Sequence, residues 1–363
     1  MKVEILIYAY LAICSSMIIF NIVCIFIFRK KDKDIQKRSI DFTDSITEQL
    51  EKESIDDSHK LFLQKKLKRV NHLMAFDETL EKLYKERPEQ IKAYIEKLSS
   101  VFVYLTLEYS KKNKVQAAYF PYIIKKYSVL KGTSISIVID MLLDLVKEEN
   151  LYCRENALNA LYSIGDAESV ITALKILNKN SGYHHPKMIA DGLLSFSGDR
   201  ERLNQRIWEN IDDFSVSMRE ALLDYFRFES GSHCEKMLRI MTDSEENQEL
   251  RFCAIRYFAK YRYEPALPFL YDFACEDSPV WEYKAIAASA LANYPVPKTE
   301  EVLKELLTNR NWYVRYNASD SLEKLGVGYD ELIDIFEGGD RYASEMLRYR
   351  FDRKKLKQEE VTV

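Results

Sequence analysis

Histidine is scarce in this sequence, with 5 in 363 residues, and only His184 and His185 are neighbours. A metal site needs three or four His, Cys, Asp or Glu ligands converging on one ion. The segment SGYHHPK supplies no third ligand, so the pair reads as turn or helix-start residues. Cys153, Cys234, Cys253 and Cys275 neither pair by spacing nor stand beside a base that would activate a thiolate, and they read as small core residues. Glycine-rich phosphate loops, paired-cysteine zinc spacings, the His-Glu metalloprotease helix and the serine nucleophile elbow are all missing from the sequence. These residues point to no catalytic group, no cofactor and no metal, and the expectation is a protein that binds rather than catalyses.

What does recur is a triplet: a basic residue, a small or apolar residue three places later and a large apolar residue seven places later. It runs Arg154, Ala157, Leu161; Lys187, Ala190, Leu194; Arg219, Leu222, Phe226; Arg251, Ala254, Phe258; Lys284, Ala287, Leu291; and Arg315, Ala318, Leu322. The basic residues are separated by 33, 32, 32, 33 and 31 residues, a period that signals stacked helical hairpins. Spacings of three and four put the small and large residues on one helix face, where they form the seam between neighbouring repeats. Places one, five and eight after the basic residue then point away from that seam and are the candidate contact surface. They carry Glu155, Asn159 and Tyr162, then Glu220, Asp224 and Arg227, then Phe252, Arg256 and Ala259, and finally Tyr316, Asp320 and Glu323. Both signs of charge mixed with aromatics suit a protein partner better than a phosphate backbone, which calls for a consistent basic stripe.

Six places before each basic residue stand Glu148, Ser181, Asp213, Glu245, Ser278 and Asn309, mostly side chains able to cap a helix start. Gly165-Asp166, Gly198-Asp199 and Leu325-Gly326 are stop signals, and second helices are expected over Ala167–Asn178, Arg200–Ile211, Pro265–Ala274 and Glu300–Leu307. Here the sequence resembles HEAT repeats of the short, phycobilisome-lyase-like type. The resemblance implies a right-handed α-solenoid in which the basic residue joins a ladder of polar contacts along the inner helices, a structural role for Arg154, Arg219, Arg251 and Arg315. Trp281, Trp312 and Tyr313, near inner-helix starts, read first as packing between loop and hairpin.

The N-terminus is of another kind. Ile5–Phe28 is a run of 24 residues without a charge, long enough to cross a bilayer once as a retained anchor rather than a cleaved signal. Arg29, Lys30, Lys31, Lys33, Lys37 and Arg38 follow it against Lys2 alone before it. The positive-inside rule therefore places residues 1–4 outside and the body in the cytoplasm, in agreement with unpaired cysteines. Residues 29–57 read as a charged juxtamembrane linker or loose first helix, and 58–130 as an N-terminal helical cap. Within the cap, one helix from Leu61 stops at Pro88 and a second runs over Glu89–Tyr109. The segment around Lys114, Ala117 and Pro121 reads as a degenerate repeat with Ser136–Val146 as its partner helix. Residues 131–351 hold about six to seven repeats, with Tyr329–Glu337 and Arg341–Arg350 closing the array, and 352–363 form a disordered tail. The expected fold is all-α: a single transmembrane helix followed by a HEAT-like solenoid.

Beyond the repeat type, YCRENALNALYSIGD, DGLLSFSGD, FRFESG, ELRFCAIRYFAKY, WEYKAIAASALANY, NWYVRYNASDSLEKLG and GGDRYASEMLRYRF resemble a group of membrane-anchored HEAT-repeat proteins of low-GC Gram-positive bacteria. Members of that group tend to be encoded beside processive membrane glycosyltransferases. The resemblance thus implies a protein partner at the cytoplasmic face, in polysaccharide synthesis or export, and no catalytic residue. Two other readings are an enzyme or lyase acting on a small ligand, which needs a pocket of converging polar groups, and a nucleic-acid binder. With 53 basic against 57 acidic residues, the charge balance argues against the last.

Overall fold

The computed structural model describes residues 3–52, 54–179, 184–275 and 280–350, and every regular element among them is helical. The expected caps Ser181 and Ser278 and the tail 352–363 lie outside the described residues. The chain divides into two compact units, Met1–Tyr183 with Ser195–Trp208, and His184–Leu194 with Glu209–Val363.

The first unit begins with α1 (Val3–Leu50), a single helix of 48 residues. Its N-terminal part is apolar enough to cross a membrane, and from Ile7 to Ile27 its side chains are exposed apart from the half-buried Cys14 and Cys24. The charged stretch expected to be a linker or loose helix instead continues α1 to Leu50 and packs. Ile35, Ser39, Phe42, Ile46 and Gln49 are buried, at alternating steps of four and three that keep one stripe facing inward. Two polar members disguise the stripe in the sequence. The Ser39 hydroxyl lies 2.9 Å from that of Thr79, and the Gln49 side chain accepts from the Asp56 N–H at 3.0 Å, turning the chain back after the helix.

Next come α2 (Asp57–Leu67), α3 (Val70–Glu86), α4 (Pro88–Glu96) and α5 (Ser99–Tyr109). Each of the two helices expected here is therefore broken once, at Lys68-Arg69 and at Lys97-Leu98, without glycine or proline at either place. Tertiary contacts make the breaks: Leu98 is fully buried between helices, and the Tyr109 hydroxyl donates to the carbonyl of Leu67 at 2.8 Å. The degenerate segment forms α6 (Lys114–Ala117) and α7 (Tyr119–Tyr127). Pro121 fits because it lies in the first turn of α7, where a missing N–H leaves no helical bond unmade. The buried Asp77 carboxylate of α3 fastens α7, accepting from the Tyr119 hydroxyl, the Lys126 ammonium and the Tyr127 hydroxyl, each at 2.7 Å.

Then α8 (Ser136–Val146), α9 (Leu151–Ile164) and α10 (Ala167–Lys179) follow, with α9 packed on both α7 and α8. Gly165 ends α9 in the left-handed region at φ 83°, and the Gly198 backbone abuts it so closely that a Cβ there would meet the Gly165 carbonyl oxygen at 2.0 Å. The aspartate after each glycine starts the next helix: Asp166 accepts from the Ser169 N–H and Asp199 from the Arg202 N–H. After α11 (Pro186–Leu194), which belongs to the second unit, α12 (Arg200–Glu209) completes the first as far as Trp208.

The second unit holds α11, α13 (Val216–Glu229), α14 (Cys234–Thr242), α15 (Gln248–Phe258), α16 (Leu267–Cys275), α17 (Trp281–Leu291), α18 (Pro297–Leu306), α19 (Trp312–Leu325), α20 (Ile333–Phe336) and a closing helical segment, 341–350. Alternate helices pack in series, α11 on α13, α13 on α15, α15 on α17 and α17 on α19, while α14, α16 and α18 each pack on the odd-numbered helix that follows. Buried tyrosines hook the turns. Tyr257 donates to the Ser230 carbonyl and accepts from the His233 N–H, and Tyr294 accepts from the Tyr263 N–H.

All six triplets fall on helices, α9, α11, α13, α15, α17 and α19, and their small and large residues are buried, with Leu194 half-buried. The caps differ from expectation. They lie four places before the basic residue, not six: Asn150, Ser215, Asn247 and Asn311 accept from N–H groups of the first turn. The place six before has another use. Arg154 donates to the carbonyls of Glu148 and Glu149, and Arg315 to those of Asn309 and Arg310, so each buried guanidinium ties down its own helix start. Arg219 does reach the next repeat, its guanidinium pairing with the Glu246 carboxylate ahead of α15, and further rungs come from asparagines two places after the basic residue, with Asn156 donating to Ala118 O and Asn317 to Ala285 O.

Candidate partner-contact face

In the first unit, α9 leaves Glu155 and Asn159 half-exposed and bonded to one another at 2.9 Å. Tyr162 does not join them. It is buried, and its hydroxyl has no partner among the described residues; burial raises its pKa, with the charge of Glu155 adding to the effect. The eighth place shares its angle with the half-exposed first place, so the difference lies in the side chain: the apolar ring turns into the body where the carboxylate of Glu155 does not.

In the second unit, α13 and α15 bring together Glu220, Asp224, Arg227 and Arg256, all half-exposed. Asp224 and Arg227 pair at 3.0 Å. Partial burial raises the Glu220 carboxyl pKa, the negative charges of Glu249 and Asp224 push it the same way, and Arg256 opposes them. Phe252 is a correction to the expected surface, since it is buried edge-on against Tyr283 of α17, with ring centroids 4.7 Å apart. Two residues overlooked in the sequence complete the patch. Phe228 is 49% exposed and lies under the Arg227 guanidinium at 4.6 Å and the Lys260 ammonium at 5.5 Å; Lys260 also donates to the Arg227 carbonyl at 3.0 Å. Both stand nine places after a basic residue, one past the last place counted. Beneath the patch the Cys253 thiol is buried and its pKa is pushed up to about 12, which makes it a poor nucleophile.

On α19 the expected surface is covered by the chain itself. Arg350, only 6% exposed, lies 4.1 Å above the Tyr316 ring and 2.8 Å from Asp320, and its Nη1 is 3.8 Å from Glu323. Tyr316 and Asp320 therefore close the end of the unit and leave the candidate face. The neighbouring aromatics pack mostly on one another, Trp281 on Tyr313 at 5.3 Å and Trp312 on Tyr316 at 4.9 Å, while Trp312 and Tyr313 stay about half exposed.

His185 stands at the start of α11, where its Nδ1 accepts from the Lys187 N–H at 3.1 Å. Among the described residues no group of three or more His, Cys, Asp or Glu is placed to hold a metal ion. What the α13–α15 patch offers is a half-desolvated mixture of both charges around an exposed ring, a surface able to form charge-assisted hydrogen bonds around an apolar centre. No protein-family model matches the chain, and no curated protein is significantly similar to it.

Proposed function

We propose that this protein is a non-catalytic membrane adaptor. In this reading α1 crosses the cell membrane once with its N-terminus outside, and a cytoplasmic right-handed HEAT-like solenoid docks a protein partner. The partner class implied by the resemblance is a membrane enzyme, a glycosyltransferase of polysaccharide synthesis or export. The observation that carries the proposal is the double use of α1: one continuous helix exposes an apolar N-terminal part and buries Ile35, Phe42 and Ile46 of its C-terminal part in the body. Serial packing of alternate helices supports the solenoid, and the cations after Phe28 support the orientation. Tethering confines the search for a membrane partner to a plane and raises its effective concentration, and the α13–α15 patch supplies the contact.

Two measurements test the reading. Protease protection in inverted cell-membrane vesicles should leave the body cleavable and the N-terminus protected; the reverse pattern contradicts the orientation. The double variant Glu220→Lys/Asp224→Lys should lower recovery of crosslinked partner while its thermal melt stays unchanged. Undiminished recovery removes this patch from the account.

A further inference from the structure

We infer that the corner between α3 and α4, Tyr84–Gln90, is a second membrane contact, seated in the phospholipid headgroup layer beside α1. The inference rests on the anchor reading above and adds a surface of the body to it. The register between α1 and α3 carries the argument. Ser39 meets Thr79, and Phe42 meets Phe76 with ring centroids 5.6 Å apart, so moving up α1 moves down α3 by the same count. The helices are antiparallel, and the same register sets Leu83 level with Ile35 and Arg87 level with residue 31. That is three residues beyond the apolar run, about 5 Å along the helix at 1.5 Å per residue. A headgroup layer is itself roughly 5–7 Å deep on each side of the hydrocarbon, so this corner falls within it.

The chemistry of the corner fits that place. All seven residues from Tyr84 to Gln90 are exposed, including a tyrosine, a side chain at home where hydrocarbon meets headgroups. At the same level Arg29, Lys30 and Lys33 of α1 and Arg87 of the corner are exposed, as are the carboxylates of Asp32 and Asp34 on α1 and of Glu86 and Glu89 at the corner, and none of these has an ion-pair partner among the described residues. Lys85, by contrast, lies 3.7 Å from Glu81. Exposed charges of both signs around one tyrosine suit the phosphate and ammonium groups of a phospholipid headgroup layer, with Arg87 as the corner's contact to phosphate. Two contacts, anchor and corner, would hold the body at a fixed tilt, which a single flexible tether does not.

The helix provides its own ruler for the test, because Glu48 lies about 30 Å from Phe28 along α1. A fluorescent amino acid is placed by codon suppression at position 84 or at position 48 of the full-length chain, in liposomes of phosphatidylglycerol and phosphatidylcholine carrying a headgroup nitroxide quencher. The inference predicts loss of most emission at 84 and little loss at 48, and partial recovery at 84 when Arg87→Glu is introduced. Equal quenching at the two positions in protein that floats with the liposomes overturns the corner contact and leaves the anchor standing. Failure to float overturns both.

Discussion

Replacing Asp77 should loosen the first unit more than any other single polar change in it. Its carboxylate is 8% exposed and accepts from three donors at 2.7 Å, two tyrosine hydroxyls and the Lys126 ammonium, all on α7. Hydrogen bonds to a charged group contribute about 1.5–3 kcal/mol each, and bonds sharing one acceptor do not add fully. Asp77→Asn keeps the shape and one acceptor oxygen but loses the charge, for an expected cost of about 2 kcal/mol. Asp77→Ala also strands three donors in a partly buried site, at about 3–5 kcal/mol, moderated because Lys126 keeps Glu81 at 3.2 Å. In a unit of this size each kcal/mol lowers Tm by about 2–4 °C, so Asp77→Asn should melt about 4–8 °C lower and Asp77→Ala lower still. The assay is calorimetry of the full-length protein in detergent micelles. Tyr127→Phe should cost less than Asp77→Asn, and the double variant should cost less than the sum of the two. A melt of Asp77→Asn within about 1 °C of the parent would refute the view that this carboxylate holds α3 to α7.

Gly198→Ala should destabilise by about 1–3 kcal/mol, because the new Cβ would run into the Gly165 backbone and the Phe196 ring. Gly326→Ala, where the Cβ meets nothing within 4 Å at φ 84°, should cost about 1–2 kcal/mol from conformation alone, and paired thermal melts check both. Tyr257→Phe unhooks the turn before α14 and should cost about 1–2 kcal/mol in a denaturant titration. Burial holds the pKa of His59 below its ordinary value, while Asp56 and Glu48 pull it up and Lys52 adds to the lowering; its ring nitrogens meet Ser45 at 2.9 Å and Tyr94 at 2.7 Å. A depressed folded-state pKa gives stability that is present above the unfolded value, near 6.5, and is lost as pH falls below it. The difference in Tm between pH 7 and pH 5.5 should therefore shrink in His59→Gln, and an unchanged difference would assign the acid sensitivity to other groups.

The repeat helices were legible because their pattern is apolar and local: a small residue at three and a large one at seven is a face whatever surrounds it. Ser136–Val146, whose boundaries the structure reproduces, is likewise set by its own apolar periodicity. What escaped depends on distant partners. Ser39 and Gln49 look like linker residues until Thr79 and Asp56 satisfy them, and the breaks at Arg69 and Leu98 carry no breaker residue. Capping was misplaced by two residues because Asn150, Ser215, Asn247 and Asn311 lie closer to their basic residues than the register count assumed. On the candidate face, half-exposed Glu220, Asp224, Arg227 and Arg256 followed from helical angle. Tyr162 and Phe252, at the same angles, did not, since large apolar rings turn into the body where charged side chains stay out. Nothing in the sequence of α19 shows that Arg350 covers Tyr316 and Asp320, a contact made by a residue 34 places further on.

The most direct test of the adaptor account is crosslinked recovery from native membranes of the tagged full-length protein, beside a version whose Ile5–Phe28 segment is replaced by an unrelated single-pass anchor. The account predicts that both recover the same membrane enzyme, because recognition lies in the cytoplasmic helices and the anchor only confines them to the bilayer. Recovery of no specific protein by either version would contradict it.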